Sequence, residues 1–139
     1  CIRDRDCLFC KIAKGEIHSA TVYEDSHFTV ILDVNPATKG HCLIIPKEHF
    51  DNIYDLDGET AGKLFALATC IARAMKDALK CDGLNLVQNN GEVAGQTVNH
   101  FHLHLIPRYE GDGLNLNWPQ QEISGEQLEE IRQSIKKSI

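Results

Sequence analysis

The chain has 139 residues, 42% of them apolar, and a formal net charge of −6. That length suits one domain, residues 1–139, around one core, and no apolar run approaches the roughly 20 residues that a membrane span needs. The acidic balance argues against nucleic acid as a partner, which calls for a basic footprint, but it leaves room for a local anion site.

No N-terminal stretch combines basic residues, an apolar core and a small-residue cleavage site. The six cysteines are Cys1, Cys7, Cys10, Cys42, Cys70 and Cys81. Without a secretory signal, and with enough apolar residues for an unstapled core, they point to a reducing cytoplasmic setting. Cys42, Cys70 and Cys81 lie in apolar segments and are expected to be buried small hydrophobes.

Taken in chain order, Val22–Tyr23 and Phe28–Asp33 read as two short strands joined by a polar turn, and Cys42–Pro46 as a third. Pro36 and Gly40 mark the intervening segment as a loop. The clearest helix runs from about Glu59 to Leu79, where Leu64, Leu67, Ala68, Ile71, Ala74, Met75, Ala78 and Leu79 recur at helical spacing. Asp57 is its expected N-cap and Asp82-Gly83 its stop. Leu84–Gln88 and Val98–Ile106 read as strands, joined through the Gly91- and Gly95-containing stretch 89–96. Ser124 with Gln127 has the spacing of a capping box, and Leu128, Ile131 and Ile135 mark an amphipathic C-terminal helix. The expected fold class is α+β, an antiparallel sheet of about five strands with one long helix and a C-terminal helix.

The chemistry concentrates in His100-Phe101-His102-Leu103-His104-Leu105-Ile106. On a strand, side chains alternate between faces, so His100, His102 and His104 should share one face while Phe101, Leu103 and Leu105 enter the core. Imidazoles contribute little to core packing and repel one another when protonated, so three at this spacing point to a site. Spacing alone leaves two chemistries open. The three rings could hold a catalytic metal, or the middle one could attack phosphorus while its neighbours contact the phosphate and the leaving group.

This run resembles the signature of the histidine triad (HIT) proteins, in which three histidines alternate with apolar residues. The resemblance spans nearly the whole chain and is closest to the Hint-type nucleoside phosphoramidases. It implies a HIT-like fold and a nucleotide site. Leu8, Phe9, Ile12 and Ile31 would sandwich a purine, and Asp33 and Val34 would meet the ribose. Asn89, Gly95, Gln96 and Thr97 would contact the phosphate. His102 would attack the α-phosphorus and form a covalent nucleotidyl intermediate, with His104 as a phosphate contact or proton donor. A backbone carbonyl and His41 would support the orientation of His102. The implied substrate is a purine nucleotide or nucleoside phosphoramidate. A dinucleoside-polyphosphate hydrolase, a nucleotidyltransferase and a nucleotide-binding adaptor module are the alternatives.

Cys7-Leu8-Phe9-Cys10 is half of a zinc site, and His49 and His100 are candidates for the other half. The resemblance supports such a Cys₂His₂ set, which would make the zinc structural and split the histidine run between metal and catalysis. It also implies a homodimer in which the segment around Trp118 crosses to the partner's pocket. His18 and His27 lie near turns and are expected to face solvent.

Overall fold

The computed structural model describes residues 6–139, so Cys1 lies outside the described residues. A short helix α1 (Leu8–Ala13) leads into strands β1 (Thr21–Glu24), β2 (Phe28–Leu32) and β3 (Cys42–Pro46). The long helix α2 (Gly58–Leu79) follows, then β4 (Gly83–Val87), a 3-10 turn at Glu92–Ala94, β5 (Leu103–Arg108) and helix α3 (Gly125–Ser138). The strands form one sheet in the order β1-β2-β3-β5-β4. Every neighbouring pair is antiparallel. This is the α+β architecture expected from the sequence, with five strands.

Alternation along the strands builds a core on each face of the sheet. Leu64, Ala68, Ile71 and Met75 of α2 pack on Phe28, Val30, Cys42, Ile44, Leu103 and Leu105. Fully burying a side chain such as Ile44 or Leu105 stabilises the fold by about 1.5–3 kcal/mol. Ala74 and Ala78 are exposed, so the apolar stripe of α2 is narrower than its sequence pattern. On the opposite face Phe9 joins Ile31, Leu43 and Ile45, with Ile12 and Val98 packed against them. This second cluster brings α1 beside the histidine run.

Helix ends follow local chemistry. The Asp57 side chain accepts the Thr60 N–H, as its N-cap role requires, whereas α2 stops at Lys80 in the left-handed region rather than at Asp82-Gly83. Gly83 instead opens β4. The capping box forms as expected, with Gln127 N–H donating to Ser124 Oγ and Ser124 N–H to Gln127 Oε1. No residue of α3 is buried, and Leu128, Ile131 and Ile135 stand exposed.

Two expectations need correction. Of the three cysteines read as buried, only Cys42 is; Cys70 is exposed and Cys81 half-buried. Cys70 falls on the solvent side of α2, and burial pushes the Cys42 thiol up to about 11. The last strand starts at Leu103 rather than Val98 and runs on to Arg108. Residues just before it are held by other bonds. Phe101 N–H donates to Phe50 O at 2.6 Å, which turns the chain out of the ladder.

Candidate active site and metal centre

Because β5 begins after His102, the three histidines do not form a single row. His100 is fully buried on the far side of Phe9, while the His102 and His104 rings lie 4.9 Å apart, centroid to centroid. Phe9 meets both His100 and His102 edge-on, at 6.0 and 4.8 Å. The run is thereby divided between two adjoining sites.

His102 and His104 close one end of a cavity of about 430 Å³, a size suited to a small organic ligand. Leu8, Phe9, Ile12 and Ile31 line its apolar part, and Asp33, Val34 and Thr97 also border it. The structure thus gathers nine of the expected nucleotide-site residues around one opening. Ile17, His18 and Ser19 line it too. Sequence reasoning missed these three, because they sit in the turn after α1, a helix that no periodicity announces.

Hydrogen bonds fix the tautomer of each ring here. Nδ1 of His102 lies 2.7 Å from the carbonyl oxygen of His100. A carbonyl only accepts, so Nδ1 carries the proton and Nε2 keeps its lone pair. Nδ1 of His41 accepts the Ala37 N–H at 3.0 Å, so its proton is on Nε2. That Nε2–H donates to Nδ1 of His104 at 2.9 Å, leaving His104 to carry its proton on Nε2. His41 therefore supports His104 and not His102, which corrects the sequence expectation. The register explains it, since β3 places Leu43 opposite His104 and His41 immediately before that strand.

Electrostatics keep these rings neutral. Burial pushes His102 and His41 below the usual imidazole range, partly offset at His102 by the bond to the His100 carbonyl and then by the Asp33 carboxylate, and at His41 by Asp33. For His104, burial first and then the neighbouring His102 and His41 push it down to about 4. Asp33 Oδ1 accepts the Asn35 N–H at 2.8 Å, and Oδ2 lies 3.8 Å from His41 Nε2.

The remaining phosphate-contact candidates sit on the turn after β4. Gly95 has φ +98, a backbone that favours glycine, and lies beside Asn89, where a Cβ would make ordinary contact with Nδ2 at 3.6 Å. Gln96 is placed differently from expectation. It is buried, and its amide is engaged with the backbone of Asp51, Val98 and Gly91, so it braces the turn rather than reaching into the cavity.

On the other side of Phe9, one ligand atom from each of Cys7, Cys10, His49 and His100 lies within 4.8 Å of the others. Nδ1 of His100 is 3.3 Å from Cys7 Sγ and 3.4 Å from Cys10 Sγ, and Nδ1 of His49 is 3.3 Å from Cys10 Sγ. A tetrahedral zinc with ordinary Zn–S and Zn–N bonds would give S···N edges of about 3.5 Å. Both rings also have the required tautomer. His100 Nε2–H donates to Pro46 O and His49 Nε2–H to Asp51 Oδ1, each at 2.8 Å, so both Nδ1 lone pairs face the thiols. Ligating histidines are characteristically oriented by such a second bond. Two soft thiolates and two imidazoles fit zinc. Among the described residues, no helix is long and apolar enough to cross a membrane.

Residues 14–111 match the HIT domain model. A HIT family protein of known structure from Bacillus anthracis superposes with a TM-score of 0.91 at 47% identity, over 96% of this chain and 97% of that one. The adenosine 5′-monophosphoramidase HNT1 of Saccharomyces cerevisiae is 40% identical over 95% of this chain and 82% of its own length. A zinc-bound histidine triad family protein from Mycobacterium smegmatis is 38% identical, with a TM-score of 0.77 over 98% of this chain and 99% of that one. With the His100–Ile106 run inside the matched region, the chain belongs to the histidine triad (HIT) family.

Proposed function

We propose that this chain is a single-domain cytoplasmic hydrolase that cleaves the P–N bond of purine nucleoside phosphoramidates through a covalent nucleotidyl-His102 intermediate. The observation that carries the reading is the 2.7 Å bond from His102 Nδ1–H to the His100 carbonyl. It leaves Nε2 as an unprotonated nucleophile, neutral near pH 7 because burial depresses its affinity for a proton. Nε2 attacks the α-phosphorus as the P–N bond breaks, the departing amine taking a proton from solvent, and a water then attacks phosphorus, breaks the P–Nε2 bond and gives up its proton to solvent. One water is consumed, and nucleoside monophosphate and amine are released.

His104 acts as a donor to a phosphate oxygen through Nε2–H. Its Nδ1 is already filled by the His41 bond, which favours this role over that of a titrating acid. Asn89, Thr97 and the backbone around Gly95 meet the other oxygens as charge builds. Asp33 accepts from the ribose hydroxyls, beside Val34. Leu8, Phe9, Ile12 and Ile31 hold the base. Support for a phosphoramidate comes from the named activity of the yeast relative.

The same reading assigns structural zinc to Cys7, Cys10, His49 and His100, supported by the fixed tautomers and the zinc-bound mycobacterial structure. When bound at these four residues, the ion would anchor α1 to the end of the histidine run, where Phe9 packs edge-on against His102 and the His100 carbonyl holds its Nδ1–H. A homodimer, with Trp118 near the partner's pocket, completes the proposal. Trp118 is 81% exposed in the single chain, and indoles are enriched where surfaces meet.

The test is hydrolysis of adenosine 5′-phosphoramidate. His102→Ala should abolish AMP release while AMP affinity stays within about tenfold, or about 1.4 kcal/mol. Wild-type turnover by the variant would remove His102 from the mechanism.

A further inference from the structure

The Cys7–Cys10–His49–His100 cluster and the catalytic pocket are joined by two hydrogen-bonded lines. The short one passes through a single residue, since His100 offers its ring to the thiols and its carbonyl to His102. The second is longer and reaches the phosphate turn. His49 Nε2–H donates to Asp51 Oδ1 at 2.8 Å. The Asp51 carbonyl accepts from Gln96 Nε2 at 2.6 Å, and that nitrogen also donates to Val98 O at 3.0 Å. Gln96 Oε1 accepts the Gly91 N–H at 2.8 Å.

Gly91 begins the turn that carries Gly95. Ala94 and Gln96 donate back to the Gly91 carbonyl at 3.1 and 3.0 Å, and Gly95 N–H donates to Glu92 O at 2.9 Å. The turn is thus bonded within itself, and the buried Gln96 amide ties it to Asp51 and Val98, beside a second tie in which Ile53 N–H donates to Asn90 Oδ1 at 2.7 Å. Leaving such an amide unpaired costs about 1–3 kcal/mol, so the Gln96 bonds resist separation of the turn from the 51-loop.

We propose that Gln96 is a positioning residue for the phosphate turn and that, through Asp51 and His49, a metal at the cysteine–histidine cluster sets the rate of the chemical step. The inference rests on the hydrolase and zinc readings above. Fixing the His49 ring fixes the Asp51 side chain, and with it the segment whose carbonyl Gln96 grips. Displacing a positioning group by about 1 Å can cost about 100-fold in rate without touching the substrate.

The experiment uses the full-length zinc-loaded protein, adenosine 5′-phosphoramidate as substrate, and the ¹H–¹⁵N resonance of Gly91. Gln96→Ala should lower kcat by about 10- to 100-fold with KM changed less than about threefold, a loss confined to the transition state. Zinc content should be unaltered. Asp51→Ala removes the side-chain bond to His49 and keeps the carbonyl that Gln96 grips, and it should move the Gly91 resonance and lower kcat in the same sense. The double variant should lose less than the product of the two, because both act on one line. Wild-type kcat in Gln96→Ala, an unmoved Gly91 resonance in Asp51→Ala, or fully multiplicative losses would each overturn the proposal. If Gln96→Ala does not fold, the Asp51→Ala resonance decides. If the wild type releases no AMP, the hydrolase reading fails, and an Asp51→Ala protein with an unmoved Gly91 still separately removes the coupling.

Discussion

His41 and His104 form a directed pair, with the proton of His41 Nε2 donated 2.9 Å to Nδ1 of His104 and the opposite side of His41 fixed by the Ala37 N–H. The pair locks His104 into presenting an N–H toward whatever anion it meets. His41→Ala should release that lock. We expect both His104 tautomers to appear in ¹⁵N NMR and the turnover rate to fall by about tenfold, or about 1.4 kcal/mol of barrier. A variant with one His104 tautomer and unchanged rate would show that the pairing is incidental.

The depressed histidines predict acid sensitivity with a definite sign. His104 holds its proton at about 4 when folded, against about 6.5 in an unfolded chain. Between those values the unfolded state binds more protons, so the contribution is complete above about 6.5 and is lost as pH falls towards 4. His41 and His102 are shifted in the same direction. Urea midpoints should therefore fall between pH 6.5 and 4, and the fall should be shallower in His104→Asn. A midpoint rising over that interval would contradict the assignment.

Zinc should be held at one ion per chain and should contribute to folding, because the unfolded chain has no preformed site. Metal analysis of protein purified without chelator checks the stoichiometry. A strong chelator should lower the thermal midpoint of the wild type and do little to Cys10→Ser, which should already melt lower. A wild-type midpoint indifferent to the chelator would remove the metal from the structure.

The C-terminal segment is predicted to act across a dimer. Cutting the chain after Asn115 spares Asp112 and Leu114, whose bonds to Arg108 close the end of β5. The truncated protein should keep its fold yet lose discrimination among leaving amines, and Trp118→Ala should share that loss. Sedimentation at micromolar concentration should show a dimer. A fully active monomer would end this account of Trp118.

Much of the fold was legible because its causes are local. The α2 stripe, the Asp57 cap, the Ser124–Gln127 box and the alternation of Phe101, Leu103 and Leu105 each follow from neighbours in sequence. That the histidine run marks a site was legible for a similar reason, since imidazoles at that density serve little purpose in packing. Where sequence reading failed, distant segments decided the outcome. Short α1 lacks the length for a periodic signal. Cys70 lies in an apolar stretch but on the outer side of its helix, and Gln96 looks like a ligand contact until three backbone partners claim it.

The sequence by itself determined the ingredients: an α+β domain, a histidine run that marks a site, and a thiol pair with His49 and His100 as candidate partners. Only the tertiary structure decided how they are shared. It carried His100 inward to Cys7 and Cys10, stopped β5 short of His102, and set His41 against His104. Ring tautomers depend on what lies within hydrogen-bond reach of each nitrogen, and two of the deciding partners, Pro46 O for His100 and His41 for His104, come from residues far away in the chain.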